Sequence, residues 1–445
     1  MEPVSGPQPG GQPRGAAGQP QPGGQPPDAP LFSLRAPAAF LATLEPYDPR
    51  YLRARCYLNA NESPYAMSLI AIESLAAKIR ESAVNSDAQG FNRYPVPLGD
   101  SLRQRLAEKT GLLPAQVLLG NGGDELILDL VLAWGGPGRQ MLIAPPCFST
   151  YELSAALNGT AVQRLWRGPG LGLDEGQFLA AAATNANDII VLASPNNPTG
   201  DGLSLGFVEG LLASTDALVL IDQAYLEFAP PERDLRPLLA RYPNLAILRT
   251  FSKAWGLAGL RIGYLLASEQ VISELIKVRQ PYSVDSLSVL AAEAVYDDEI
   301  AYSLRIAEIV AERERLLAKL RQLPGIEAIA SEANFFLLRL PTPAAARALW
   351  QCLYDEHGIL LRDFSDSPGL SGCLRVSIGT PDENSSFYTA LTECLEYIQK
   401  SGLLAPAADA AAVPALRGSG SGPDSGRPAV SGANRIDPAT TPPTD

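Results

Sequence analysis

Short, continuous apolar runs recur through the first 280 or so residues and alternate with longer stretches of helical periodicity. Residues 189–193 (Ile-Ile-Val-Leu-Ala) and 217–221 (Ala-Leu-Val-Leu-Ile) are two of these runs. Runs of this length predict strands that are buried on both faces. Their alternation with helices predicts an α/β fold, in which helices cover both faces of a mainly parallel sheet.

The pattern changes in the last third of the chain. A long charged helix is predicted at 301–322, and strands near 335–339 and 373–378 flank a helix at 343–356, which predicts a smaller α+β domain. Both ends are rich in Pro and Gly, and this composition predicts disorder. The predicted organisation is a tail at 1–30, an arm at 31–64, a large domain at 65–284, a small domain at 285–400 and a tail at 401–445.

Polar residues follow two of the predicted strands. Asp222 ends the run at 217–221, and Asn197 follows the run at 189–193 within Ser194-Pro-Asn-Asn-Pro-Thr-Gly200. The carboxyl ends of strands are where open α/β sheets bind ligands. An ionised carboxylate is costly to bury without a cationic partner, so Asp222 predicts a ligand that carries positive charge.

A lysine segment follows downstream. Thr250-Phe-Ser252-Lys253 precedes a glycine-rich stretch that contains Arg261. We interpret Lys253 as a residue that forms a Schiff base with a phosphorylated aldehyde, whose phosphate the hydroxyls and Arg261 hold. Pyridoxal 5′-phosphate (PLP) fits, because its protein partners are a lysine and an acid at the ring nitrogen. A surface lysine in a turn is the alternative for Lys253 taken alone.

The segment Gly120-Asn-Gly-Gly-Asp-Glu125 lies between an apolar run and a helical pattern. Free backbone N–H groups at such a helix start can bind an anion. The segment lacks the Gly-Lys-Ser/Thr of a Walker loop and the spacing of the dinucleotide motif.

Composition narrows the classes of function. The net charge of −13 disfavours a nucleic-acid partner or an anionic membrane. No apolar run is long enough to span a bilayer, and the N-terminus lacks the apolar region of a signal peptide. The single histidine, His357, excludes a multi-histidine zinc site, and no metal site is predicted. The five scattered cysteines are interpreted as reduced thiols, so a cytoplasmic location is expected.

Taken together, these motifs resemble the histidinol-phosphate aminotransferases, which are fold-type-I PLP-dependent aminotransferases. The resemblance covers roughly residues 50–398. Its landmarks are Leu58-Asn-Ala-Asn-Glu-Ser-Pro-Tyr65, Asn92-Arg-Tyr-Pro95, Gly120–Glu125, Asn197–Gly200, Asp222–Tyr225, Thr250–Gly263, Gly358–Asp363 and Gly372–Val376. It implies a large α/β/α domain with a mostly parallel mixed sheet, and a smaller α+β domain.

The resemblance also implies roles for individual residues. Lys253, Asp222 and Tyr225 are the expected catalytic residues: Lys253 binds the PLP aldehyde, Asp222 pairs with the ring nitrogen, and Tyr225 and Asn197 bond the ring hydroxyl. Tyr151 is expected to stack on the ring. The cofactor phosphate is assigned to Gly123, Asp124, Thr250, Ser252 and Arg261, together with Tyr94 from a second copy of the chain. Tyr65, Arg362 and Arg375 are expected to face the substrate. Structural ion pairs are the alternative for the two arginines, and plain packing for Tyr65 and Tyr151.

Three positions depart from the family pattern: Gln223 stands where an acid is usual, and Ser63 and Ala66 replace the common Asn and Gly. The function implied is transfer of an amino group between histidinol phosphate and 2-oxoglutarate, which yields glutamate, by a cytoplasmic homodimer of histidine biosynthesis. The alternatives are an aminotransferase for aromatic or other amino acids, a PLP-dependent decarboxylase of a phosphorylated amino acid, and an effector-sensing module of a transcription regulator.

Overall fold

The structure is a computed structural model of the chain, and it describes residues 35–38, 40, 41, 44, 52–84, 90–184 and 186–404. The chain separates into two compact units, residues 1–51 and 52–445, and all strands and numbered helices below belong to the second. The predicted tail at 1–30 and nearly all of the one at 401–445 lie outside the described residues. None of the helices in the described part of the chain is long and apolar enough to cross a bilayer.

The described residues form twelve strands, which we number in chain order. They are β1 Cys56–Leu58, β2 Val117–Gly120, β3 Gln140–Ile143, β4 Ala161–Arg164, β5 Ile189–Ala193, β6 Leu218–Asp222, β7 Leu245–Thr250, β8 Gly263–Ala267, β9 Glu327–Ala328, β10 Phe335–Arg339, β11 Ile359–Asp363 and β12 Cys373–Ser377.

The same residues form eleven α-helices. They are α1 Leu69–Val84, α2 Asp100–Thr110, α3 Gly122–Trp134, α4 Thr150–Asn158, α5 Glu175–Ala182, α6 Leu205–Ser214, α7 Glu269–Val278, α8 Ser286–Asp297, α9 Glu299–Leu320, α10 Pro343–Asp355 and α11 Pro381–Lys400. Several begin at side-chain caps, such as Ser204 for α6, Thr342 for α10 and the Thr380–Glu383 capping box for α11.

Seven strands form the larger sheet, in the order β2-β8-β7-β6-β5-β3-β4. Strand β8 runs antiparallel to both of its neighbours, and the other six run in one direction. Alternate residues of each strand enter different cores: Ile189 and Val191 pack with α3 and α4, whereas Ile190 and Leu192 pack with α5 and α6. The predicted mainly parallel sheet, covered by helices on both faces, is therefore confirmed.

A second sheet of five strands has the order β1-β11-β12-β10-β9. Strand β1 is parallel to β11, and the remaining pairs are antiparallel. Strand β1 was predicted as part of an arm at 31–64, yet it lies at the edge of this second sheet. The predicted boundary between a large and a small domain at residue 284 stays a prediction.

The cysteines differ from the sequence interpretation. Cys352 of α10 and Cys394 of α11 form a disulfide, whereas Cys56, Cys147 and Cys373 are free. The interpretation of all five as reduced thiols is therefore wrong for two of them. The two positions are 42 residues apart in sequence, so only the packing of α10 on α11 reveals the pair.

Candidate active site

The carboxyl ends of β5, β6 and β7 meet at one edge of the larger sheet. Asp222 is the last residue of β6 and is paired with Ala193 of β5 on one side and Leu248 of β7 on the other. Asn197 follows β5, and Lys253 follows β7. Parallel pairing thus brings together polar residues that lie 25 to 56 positions apart. The strand pattern predicted this edge for Asp222 and Asn197, and Lys253 joins them because it follows β7.

Asp222 is buried, with 7% of its surface exposed. One carboxylate oxygen accepts a hydrogen bond from the Tyr151 hydroxyl at 2.7 Å, and the other accepts one from the Ala224 backbone N–H at 2.9 Å. Burial raises the pKa of Asp222, and these two hydrogen bonds oppose that rise. A cationic ring nitrogen beside the carboxylate would complete the site.

Tyr151 has no exposed surface, and its hydroxyl points to Asp222. A ring without an exposed face cannot stack on a cofactor, so the stacking role predicted for Tyr151 is wrong. The half-buried Phe148 lies edge-on to Tyr151, with 5.8 Å between ring centroids, and it is the aromatic residue of this segment that keeps exposed surface. Both aromatics are visible in the sequence, but burial alone distinguishes their positions.

Lys253 is half-buried at the same edge. Its Nζ donates a hydrogen bond to the Ala60 carbonyl at 3.1 Å and lies 5.9 Å from the centroid of the Tyr225 ring. Burial, and after it the positive charge of Arg375, lowers the pKa of Lys253 to about 8. A larger fraction of this amine is therefore neutral near pH 7 than for an ordinary lysine, as a nucleophile or general base requires.

An anion cradle lies at the start of α3. Gly122 has φ +79°, and a Cβ added there would lie 2.5 Å from Nη2 of Arg261. The Arg261 guanidinium therefore packs directly against the first turn of the helix, where it also pairs with Asp124 at 2.8 Å. Helix dipole, free N–H groups and guanidinium together favour a bound anion. Thr250 is the last residue of β7 and Ser252 follows it, and their hydroxyls lie 3.0 Å apart.

The segment after β1 reaches the site from the second sheet, and its Asn61 was given no role in the sequence analysis. Asn61 donates from Nδ2 to the Tyr225 hydroxyl at 3.0 Å. Its backbone is held in turn, because its N–H donates to Ser377 Oγ at 2.9 Å and its carbonyl accepts from Asn334 at 3.0 Å. Burial raises the pKa of Tyr225 to about 12, so this hydroxyl stays protonated and can donate to an oxygen in the site.

Arg375 links the two sheets. Its guanidinium donates to Asn197 Oδ1 at 2.6 Å and to the Asn59 carbonyl at 2.7 Å. Arg362 is the direct cross-strand partner of Arg375 in the β11–β12 pair, so both side chains project from the same face of the sheet. Like charges opposite one another are unfavourable, and a bound anion would offset that repulsion.

The two other predicted site tyrosines lie in different settings. Tyr65 is partly buried, 5.7 Å from the Arg305 guanidinium, and burial raises the pKa of its hydroxyl. Tyr94 is 75% exposed and stacks on Tyr282, with 4.7 Å between centroids. The reach of Tyr94 into a second copy of the chain stays a prediction.

The departures from the family pattern are accommodated locally. Gln223 is buried behind the site, where its amide donates to the Arg233 carbonyl and accepts from Arg249. Ser63 accepts a hydrogen bond from the Tyr65 N–H at 3.4 Å, and the Ala66 carbonyl accepts one from Arg305. None of these contacts displaces Lys253 or Asp222.

A family model described as aminotransferase class I and II matches residues 56–391, a span that includes every site residue described above. The chain therefore belongs to the class I and II aminotransferases. It is 41% identical over 354 residues to histidinol-phosphate aminotransferase 1 of Carboxydothermus hydrogenoformans, an alignment that covers 80% of this chain and 97% of the relative. Within the class, it belongs to the histidinol-phosphate aminotransferases, and the resemblance stated from the sequence is confirmed.

Solved structures agree with this fold. The crystal structure of histidinol-phosphate aminotransferase from Sinorhizobium meliloti in complex with pyridoxal-5′-phosphate matches with a TM-score of 0.73 and 25% identity, over 83% of this chain and 100% of that one. The L-threonine-O-3-phosphate decarboxylase of Porphyromonas gingivalis matches with a TM-score of 0.67 and 26% identity, over 77% of this chain and 99% of that one. The fold-type-I class is confirmed, and the fold is shared by two reaction types.

Proposed function

We propose that this protein is a PLP-dependent aminotransferase that exchanges an amino group between L-histidinol phosphate and 2-oxoglutarate, giving imidazole acetol phosphate and L-glutamate. One observation carries the proposal: a half-buried lysine, a buried carboxylate and a helix-start anion cradle converge at one sheet edge. These three features match the aldehyde, the ring nitrogen and the phosphate of PLP. The family and its relatives supply the reaction class.

The residues fit the cofactor. Asp222 is a buried acid whose two hydrogen bonds come from a tyrosine and a backbone N–H, so a cationic ring nitrogen would supply the charge that it lacks. Because Gly122 has no side chain, the Arg261 guanidinium can lie against the start of α3, where a Cβ would collide with it. We assign the aldehyde to Lys253, the phosphate to the backbone of Gly123 and Asp124 with Thr250, Ser252 and Arg261, and the ring hydroxyl to Asn197 and Tyr225. We assign stacking on the ring to Phe148.

When it is bound, PLP supplies an electron sink that makes the substrate Cα–H acidic. The protein residues do the rest. Lys253 Nζ would take the proton from the substrate Cα, a role that its lowered pKa favours. Asp222 would hold the ring nitrogen in its charged form, and Tyr225 would donate to the ring oxygen. The 2-oxo acid then accepts the amino group in the reverse sequence, which gives ping-pong kinetics.

The cross-strand arginines supply the substrate specificity in this proposal. A guanidinium fork suits carboxylate and phosphate groups. Arg375 binds the carboxylate of glutamate or 2-oxoglutarate, and Arg362 joins it to bind the phosphate of histidinol phosphate. We also assign Tyr65, whose ring lies 5.7 Å from the Arg305 guanidinium, to the substrate.

Two further parts of the proposal concern assembly and location. We propose a homodimer, in which the exposed Tyr94 reaches the cofactor phosphate of the second copy. The stacking of Tyr94 on Tyr282 supports this, since it holds an exposed aromatic outward. We place the enzyme in the cytoplasm, with small-molecule substrates and neither nucleic acid nor membrane as a partner; the three free cysteines and the net charge of −13 support that view.

Half-reactions test the substrate assignment. Histidinol phosphate, histidinol, phenylalanine and phosphothreonine are added separately to the PLP-loaded protein, and the absorbance of the bound cofactor is followed. We expect histidinol phosphate to react at least about tenfold more efficiently than histidinol, since each hydrogen bond to a charged group is worth about 1.5–3 kcal/mol. An equal response to phenylalanine would instead indicate an aromatic aminotransferase.

The similarity to a phosphothreonine decarboxylase makes decarboxylation the second candidate, because both substrates carry a phosphate that the arginines could bind. Release of CO₂ from phosphothreonine without an oxo acid would establish it. We expect no CO₂, and we expect 2-oxoglutarate to restore the initial absorbance after histidinol phosphate has reacted.

Tyr151→Phe tests the contact with Asp222. The substitution keeps the buried ring and removes one hydrogen bond to a charged group, so PLP should bind roughly ten- to a hundredfold more weakly. The measurement is the dissociation constant of PLP, from fluorescence titration of the apoprotein. Tyr388→Phe, on α11, is the matched control and should bind PLP like the wild type. Unchanged PLP affinity in Tyr151→Phe would show that Tyr151 only packs.

A further inference from the structure

Three potential metal ligands lie together at helices α10 and α11, outside the site described above. They are Cys352 of α10, Cys394 of α11 and His357, which follows the end of α10, and their ligand atoms all lie within 4.8 Å of one another. Two thiolates and an imidazole form a donor set that Zn²⁺ prefers. No metal site was predicted from the sequence because the chain has a single histidine. A site with two cysteine ligands, however, needs only one histidine.

The framework of this cluster does not depend on the disulfide. Helices α10 and α11 pack together through buried leucines, among them Leu349 and Leu353 of α10 and Leu391 of α11. These apolar contacts would keep Cys352 and Cys394 close to one another after reduction. Their Cα atoms are 5.9 Å apart. Tetrahedral Zn–S bonds of about 2.3 Å require a sulfur–sulfur distance of about 3.8 Å, which rotation of the side chains can supply.

The position of His357 is fixed by the turn that follows it. Gly358 has φ +62°, and its carbonyl accepts hydrogen bonds from the N–H groups of Arg55 at 2.8 Å and Cys56 at 3.1 Å. A Cβ at Gly358 would lie 3.2 Å from Cβ of Arg55, so this close approach favours glycine. The edge strand β1 therefore holds the histidine beside the two sulfurs.

The carboxylate of Glu393 lies near the imidazole of His357. His357 Nε2 lies 3.7 Å from Glu393 Oε2, and Glu393 adjoins Cys394 on α11. Histidines that bind metals commonly donate their second ring N–H to a carboxylate, which orients the ring. With Nε2 facing Glu393, Nδ1 is the nitrogen available to a metal.

We propose that Cys352, Cys394 and His357 form a redox-gated zinc site. In the dithiol form, the two thiolates and the imidazole bind Zn²⁺, and water completes the tetrahedron. Cys352 and His357 are partly exposed, which gives the ion and this water access. In the disulfide form, both sulfurs are bonded to one another and the site is closed.

The interconversion needs a dithiol reductant. Reduction breaks the Cys352–Cys394 bond and forms two thiols, while the reductant loses two hydrogens and becomes a disulfide. Binding of Zn²⁺ then releases the two thiol protons. Disulfides of cytoplasmic proteins are usually transient, so a pair that alternates between two states agrees with the proposed location.

Cobalt substitution tests the site in the full-length protein. The disulfide is opened with a phosphine, which becomes the phosphine oxide and is not a thiol ligand, and Co²⁺ is then titrated. We expect about one Co²⁺ per chain with thiolate-to-cobalt absorption, displaced by Zn²⁺, and no such absorption before reduction. Glu393→Gln should weaken cobalt binding about tenfold, as is usual when the carboxylate that orients a metal-bound histidine is lost.

Variants and a protection assay decide the outcome. Cys394→Ser and His357→Asn should abolish or strongly weaken the cobalt signal, whereas Cys147→Ser, another partly exposed cysteine, should retain it. In reduced wild-type protein, Zn²⁺ should slow alkylation of Cys352, a readout that needs no variant to fold. Absence of cobalt absorption in the reduced wild type, or its survival in Cys394→Ser, would overturn the proposal.

Discussion

Lys253→Ala should abolish turnover and the absorbance of the bound cofactor imine. The substitution removes both the covalent attachment and the general base, and loss of a positioned base alone costs about 10²–10⁴-fold in rate. We expect a fall of at least about 10⁴-fold in kcat. Steady-state transamination of histidinol phosphate with 2-oxoglutarate measures it, and spectra of the PLP-loaded variant show whether the imine is lost.

The fold should survive this change. In the free protein, Lys253 Nζ makes a hydrogen bond to the Ala60 carbonyl, and burial disfavours its charge. We therefore expect the melting temperature of the apoprotein to stay close to that of the wild type. Lys277→Ala is the matched control, since Lys277 is exposed on α7 and pairs with Glu274. A Lys253→Ala enzyme that retained turnover would refute the catalytic assignment.

Arg375→Lys should impair both half-reactions. Lysine keeps the positive charge but loses the planar fork that holds a carboxylate or phosphate by two parallel bonds. With about 1.5–3 kcal/mol lost per charged hydrogen bond, kcat/KM should fall roughly ten- to a hundredfold for glutamate and for histidinol phosphate alike. Single-turnover titrations with each amino donor separate the two half-reactions.

Arg362→Ala provides the contrast. On the proposed assignment, this substitution should lower kcat/KM for histidinol phosphate by at least about tenfold. It should leave kcat/KM for glutamate nearly unchanged, because only the phosphate is bound by both arginines. Arg339→Ala, on strand β10 next to β12 and paired with Glu327, should change the reaction of neither donor. If Arg375→Lys impaired only one donor, the shared role of Arg375 would be wrong.

The two arginines also illustrate why the second sheet matters to the site. Arg375 bonds Asn197, which follows β5 of the larger sheet, and Asn61 bonds Tyr225, which follows β6. Both contacts join residues of the two sheets directly at the place assigned to the cofactor. A substrate anion held between Arg362 and Arg375 would therefore contact an arginine that is bonded to Asn197, one of the residues assigned to the cofactor.

The sequence by itself predicted the α/β architecture, the strands β5, β6, β10 and β12, and the candidate cofactor residues that follow β5 and end β6. Asp222 and Asn197 could be found because an apolar run defines a buried strand locally, and the carboxyl ends of parallel strands meet at one edge. Lys253 could be found from its own segment, in which hydroxyl residues precede it and glycines and Arg261 follow it. A helix start in this region was likewise visible, since the onset of helical periodicity is a local signal. The pattern placed it after Glu125, whereas α3 begins at Gly122.

Only the tertiary structure decided the rest. Burial placed Tyr151 against Asp222 with no exposed surface and left Phe148 only half-buried, although both aromatics lie in one short segment. Strand register made Arg362 and Arg375 neighbours, and helix packing joined Cys352 to Cys394. The hydrogen bond from Asn61 to Tyr225 spans 164 positions. Such pairings depend on how distant elements pack, and no local periodicity of the chain encodes that packing.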